Sequence, residues 1–145
     1  MKKELLVDII TGLLILLFVY TAVSKWLTYD SFKGVLQTAP LLRPFAATLA
    51  WAIPVSEIAV SFLLFLPCYR LLGLYASLGL MALFTLYLAF MLLYSPHLPC
   101  SCGGVISQFT WQEHLLFNLF FIAINGVAIK LNKPSLRSNI LRNQA

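Results

Sequence analysis

Charge is what this chain has least of. Only 10% of its 145 residues are Asp, Glu, Lys or Arg, where a soluble globular domain carries about a quarter. With 61% hydrophobic residues and a mean hydropathy of +0.89, that scarcity excludes a water-soluble domain and predicts an integral membrane protein. Repeats, low-complexity tracts and Pro/Gly-rich linkers are also missing. The seven prolines and seven glycines fall mostly at the edges of apolar runs, which leaves no disordered arm and no visible second domain. Residues 1–145 therefore read as one domain. A basic patch is absent too. The net charge is +5 and the pI about 9.3, yet the ten Lys and Arg residues stand singly or in small groups at the ends of apolar segments. That placement speaks against a nucleic-acid partner and for a membrane topology signal. Three cysteines and two histidines are too few for a disulfide scaffold or a clear four-ligand metal set.

What is present in quantity is apolar run. Leu5–Ser24 supplies ~20 helical residues, enough at ~1.5 Å each to cover the ~30 Å hydrocarbon core. Lys25 and Trp26 close it as interfacial anchors. A cleaved leader is the competing reading, with Lys2 and Lys3 before the apolar core and Ala22-Val23-Ser24 as its cleavage site. The length of the core, Asp8 within it and the odd number of spans its removal would leave all argue for a retained span. Residues 27–44 form a mixed outer connection, in which Phe32, Val35 and Leu36 predict a short interfacial helix. Phe45–Leu66 is a second span, interrupted by Pro54 and carrying Glu57. After the tight turn at Pro67-Cys68-Tyr69-Arg70, Leu71–Tyr94 is a third span with little in it that is polar. Thr110–Leu131 is the fourth, opened by a capping box of Thr110 and Glu113. The tail from Asn132 to Ala145 is polar and basic and receives no assigned structure. The expected fold is an all-α, integral-membrane four-helix bundle.

Four spans put both termini on one side. That side holds Lys2, Lys3, Arg70, Lys130, Lys133, Arg137 and Arg142, against Lys25, Lys33 and Arg43 on the other. The excess predicts cytoplasmic termini. The connection at residues 95–109 has no Lys or Arg, as expected of a segment that crosses to the outside.

That connection contains Pro99-Cys100-Ser101-Cys102-Gly103-Gly104. Residues two apart in extended chain point to the same side, and the glycines permit the positive φ of a strained turn. A disulfide across one intervening residue closes a small, strained ring, which makes it exchange-competent rather than a staple. The residues leave three readings open: thiol–disulfide exchange with a partner, which is favoured; a copper or zinc site using both thiolates with His97 or His114; and an inert pair. Cys68 is separated from the pair by the thickness of the bilayer and is expected to be a small residue at a turn.

Glu57 must be paired or watered to lie within a span. Tyr20, Thr21 and Lys25 of the first span and Asn118 of the fourth are its candidate partners. His114, Asn118 and Asn125 fall close to one helical face and give the fourth span a polar stripe. Interhelical hydrogen bonding is the simplest role for the stripe, and His114 is the member suited to exchanging a proton with a thiol. Cys100, Cys102, His114 and Glu57 are the candidate catalytic set. Asp8 reads as an interfacial carboxylate.

These residues carry a resemblance. The Thr21-Ala22-Val23-Ser24-Lys25 exit from the first span, the Pro54-Val55-Ser56-Glu57 stretch of the second, and the Cys-Ser-Cys-Gly-Gly connection before the last resemble the MauE/DoxX family of redox-associated membrane proteins as far as Leu131. The resemblance implies a multi-pass protein of the bacterial inner membrane. Its MauE branch is associated with disulfide formation in a periplasmic dehydrogenase of methylamine utilisation, and its DoxX branch includes a quinone-linked thiosulfate oxidoreductase subunit. By motif match, Cys100 and Cys102 carry over as the redox pair and Lys25 and Glu57 as polar residues within the bundle. The expected function is exchange of electrons between an extracytoplasmic protein thiol or disulfide, such as that of a thioredoxin-like protein, and a quinone or other membrane partner. The expected surroundings are membrane lipid, with a homo- or hetero-oligomer open. The alternative is a non-enzymatic membrane assembly factor, with copper or zinc held by Cys100 and Cys102.

Overall fold

The computed structural model describes the backbone of residues 2–94 and 110–143, and the side chains within 2–94, at 110 and over 112–132. Every element among them is helical: α1 (Lys2–Leu27), α2 (Tyr29–Thr38), α3 (Ala46–Phe65), α4 (Arg70–Tyr94) and α5 (Trp111–Asn143), with 3₁₀ turns at Arg43–Phe45 and Pro67–Tyr69. Four stretches, Lys2–Leu27, Arg43–Phe65, Pro67–Tyr94 and Gln112–Asn132, are long and apolar enough to cross a membrane. A third or less of each apolar window is buried inside the protein, so most of its side chains face outward. Leu16, Phe62, Leu83 and Leu116 are each more than 60% exposed. An apolar exterior of this extent has lipid as its solvent, and the chain is a multi-pass membrane bundle.

The long helices form a ring in which α1 touches α3 and α5, and α4 touches α3 and α5. One end of the bundle holds the start of α1 and the α3–α4 turn, and is called the terminal end here. The other, the loop end, holds α2 and the ends joined by residues 95–109. At the terminal end the core is apolar, with Leu14, Leu64 and Leu74 fully buried among Ile10, Val60 and Ala128. Gly73 is what lets α4 approach α3. A Cβ at that position would lie 2.8 Å from the backbone nitrogen of Leu64, so any side chain would push the hairpin apart.

At the loop end α2 is wedged against α3. Its Phe32 and Leu36, one turn apart, pack onto Ala46 and Ala50, also one turn apart. Trp51 stands beside α2 and α1, with ring centroids 6.0 Å from Tyr29 and 6.4 Å from Trp26. Such an exposed aromatic group suits a membrane interface. The short helix expected from Phe32, Val35 and Leu36 is therefore present, and it is built into the bundle rather than lying apart in the interface.

Two expectations change. Pro54 does not interrupt the second span, because α3 runs unbroken from Ala46 to Phe65 with Pro54 buried inside it. A membrane helix tolerates the lost N–H where neighbouring groups satisfy the freed carbonyl. The tail left without structure is helical as far as Asn143, so α5 continues well past the fourth span. Its Leu136, Arg137, Leu141 and Arg142 are good helix formers, which outweigh a single Pro134 near the start of the extension. At its other end α5 begins as the sequence predicts: the Thr110 amide donates to Glu113 Oε2 at 2.9 Å, and the Glu113 amide to Thr110 Oγ1 at 3.3 Å.

Candidate functional site

Side chains on a helix lean toward its N-terminus. α1 and α3 are antiparallel neighbours, so Lys25 near the end of α1 leans down into the bundle while Glu57 in mid-α3 leans up to meet it. The Lys25 Nζ donates to Glu57 Oε1 at 2.7 Å, with the two side chains only 3% and 9% exposed. Of the four partners considered for Glu57, Lys25 is the one that forms the ion pair. The ammonium also lies 5.8 Å from the ring centre of Phe32 and 5.7 Å from that of Phe84. Two aromatic faces thus stand where water would otherwise solvate the charge.

The pair is the polar floor of a cavity of about 570 Å³ at the loop end. Its walls come from α1, α2, the 39–42 connection, α3, α4 and α5. α3 and α4 lie close at their turn, by Gly73, and the cavity occupies the space between them farther along. Thr21, His114 and Asn118 join Lys25 and Glu57 in the lining, with apolar and aromatic side chains supplying most of the remainder. Leu41, Leu83 and Leu86 line it as well and are each more than 65% exposed. They mark a mouth opening sideways, toward lipid.

Among the described residues, two buried polar atoms of this floor have no hydrogen-bond partner: Glu57 Oε2, an acceptor, and Asn118 Nδ2, a donor. Buried polar atoms are rarely left so. His114 is buried on the same wall, with its ring 5.6 Å from that of Phe84. The polar stripe on α5 therefore divides. His114 and Asn118 face the cavity, whereas Asn125 donates from Nδ2 to Ser77 Oγ at 2.7 Å and ties α5 to α4. Sequence reading missed Ser77, since a lone serine in an apolar helix carries no periodic signal. It missed the cavity as well.

At the terminal end Asp8 is an interfacial carboxylate bonded to Arg70 at 2.7 Å. Cys68 is exposed in the Pro67–Tyr69 turn and is a free thiol. Of the candidate catalytic set, Glu57 and His114 share the cavity. Cys100 and Cys102, like His97, lie outside the described residues. Among the described residues no three His, Cys, Asp or Glu side chains gather in a metal-binding group.

Comparison with known proteins adds one finding and two blanks. No curated protein and no solved structure matches the chain. The profile of the family described as Methylamine utilisation protein MauE matches residues 3–131. That span covers all four membrane helices, the Lys25–Glu57 pair and the two-cysteine connection, and the chain belongs to the MauE family.

Proposed function

We propose that this protein is a membrane thiol–disulfide exchanger, oxidising an extracytoplasmic protein partner through Cys100 and Cys102 and passing the electrons to a quinone or another membrane partner. One observation carries the reading. The segment containing Cys100-Ser101-Cys102 joins α4 to α5 at the same end of the bundle where Lys25, Glu57 and His114 converge on a cavity. Family membership supports it, as does the lack of Lys and Arg in that segment, which suits the periplasmic face of a bacterial inner membrane. The termini then lie in the cytoplasm.

A partner thiolate attacks one sulfur of the Cys100–Cys102 disulfide, forming a mixed disulfide and releasing the other cysteine as a thiolate. The partner's second thiolate then displaces the first cysteine, so the partner leaves oxidised and this protein keeps two electrons as a dithiol. Closing the dithiol again releases two electrons and two protons. A quinone takes up that number of each. His114, Lys25 and Glu57 line the cavity and have the chemistry to hold or move protons.

Changing the resolving cysteine tests the reading. Cys102→Ala, produced in cells, is expected to accumulate a covalent adduct through Cys100 that disappears on reduction and is absent from Cys100→Ser/Cys102→Ser. A wild-type pair that stays fully oxidised during respiratory inhibition, together with no adduct in the trapping variant, overturns it.

A further inference from the structure

The floor of the loop-end cavity offers bonding capacity that the described residues do not use. Glu57 Oε2 can accept one hydrogen bond and Asn118 Nδ2 can donate one, and both residues are more than nine-tenths buried. Lys25 also lines the cavity and has three N–H donors, one of which goes to Glu57. Donor and acceptor therefore sit on one floor. A ligand group that is a carbonyl in one state and a hydroxyl in the other is satisfied in both, accepting from Lys25 or Asn118 when oxidised and donating to Glu57 when reduced.

The walls restrict the ligand further. Phe32, Phe84, Tyr87, Phe90 and Phe117 contribute rings to the lining, and such surfaces prefer a flat ring stacked or set edge-on. The volume of about 570 Å³ lies within the ~300–1,000 Å³ of small-molecule sites. The sideways mouth at Leu41, Leu83 and Leu86 lets a hydrocarbon tail remain in lipid while the head enters. We infer that the cavity between α3 and α4 is a binding site for a lipid-soluble quinone, with the ring oxygen on Lys25, Asn118 and Glu57 and the tail leaving past Leu83 and Leu86.

This deepens the redox reading by giving the electron acceptor a place, and it rests on that reading for its role but not for binding. Electrons and protons balance: one dithiol and one quinone give one disulfide and one quinol. The test uses the full chain in phosphatidylcholine nanodiscs, titrated with radiolabelled decylubiquinone against empty nanodiscs. Saturable binding near one per protein is expected, displaced by unlabelled decylubiquinone and not by farnesol, which has a hydroxyl head and no ring. Asn118→Leu should weaken binding tenfold or more. So should Leu83→Trp, which alters only an exposed side chain at the mouth and leaves the packed interior intact. Cys100→Ser/Cys102→Ser should bind as the wild type does.

No saturable component, equal displacement by farnesol, a cavity held by phospholipid that decylubiquinone does not displace, or unchanged affinity in both cavity variants overturns the site. Loss of binding in the double-cysteine variant overturns it too. Intact binding alongside failed partner trapping leaves the site standing and removes only the exchange reading.

Discussion

Among the described residues, the two ends of this bundle each carry one ion pair, and the two are built for different purposes. At the terminal end Asp8 and Arg70 meet at 2.7 Å with side chains 55% and 28% exposed, above a close-packed apolar core. At the loop end Lys25 and Glu57 meet at the same distance with almost no exposure, beside a cavity. An exposed pair adds little to stability, typically ~0–1 kcal/mol, because water and salt already screen both partners. A buried pair owes its persistence to the cost of separating it, and replacing both charges by apolar groups is often neutral or stabilising. The terminal end is thus held by apolar packing rather than by its ion pair. The loop end retains an arrangement that stability alone does not require.

The sharpest break in that comparison is Lys25→Ala, which strands the Glu57 carboxylate. A loss of about 3–5 kcal/mol of bundle stability is expected, and Lys25→Met/Glu57→Leu should recover most of it. Thermal unfolding in detergent, followed by helical circular dichroism, reads both. Equal instability of the single and double variants would show that the charges act through something other than their mutual pairing.

Next comes the close approach of α4 to α3 at Gly73. Gly73→Val should cost about 1–3 kcal/mol by overpacking against Leu64. Gly79→Ala on the same helix meets nothing within 4 Å and should be neutral, or stabilising by up to ~1 kcal/mol through helix propensity. The smallest effects belong to the ordinary polar contacts. A double-mutant cycle on Ser77 and Asn125 should return about 0.6 kcal/mol of coupling, and one on Asp8 and Arg70 no more, falling further as salt is raised. Coupling of several kcal/mol at Asp8–Arg70 would erase the distinction between the ends.

Much of this architecture was legible in the residue pattern. The four spans follow from apolar runs of ~20 residues that have no other stable home, and the start of α5 follows from Thr110 and Glu113. The need of Glu57 for a partner was equally plain, and Lys25 was among the four named. Choosing between them required knowing that α1 and α3 are direct neighbours, which depends on ring order rather than on composition. The cavity had no signature because it is a space left between helices, set by the close approach at Gly73 and the wedge of α2. His114 and Asn118 were singled out together with Asn125, and periodicity could not separate those facing the cavity from the one bonded to Ser77, a contact 48 residues distant in sequence. The continuation of α5 past Pro134 was hidden by polarity, which reads equally well as an exposed helix or as coil.

The Lys25–Glu57 pair has a consequence for how the chain enters the membrane. A charge at the centre of a span costs ~2.5–3.5 kcal/mol on translocon-insertion scales. Glu57 lies in mid-α3, whereas Lys25 stands in the last turn of α1 and can reach the interface when unpaired, so α3 without α1 is the poorer occupant of lipid. Only the 18 residues at positions 28–45 separate the two helices, and α2 already lies along α3. Insertion of α3 is therefore cheapest beside an α1 that already spans the bilayer, where Glu57 meets Lys25 and the two charges lie in lipid as a neutral unit.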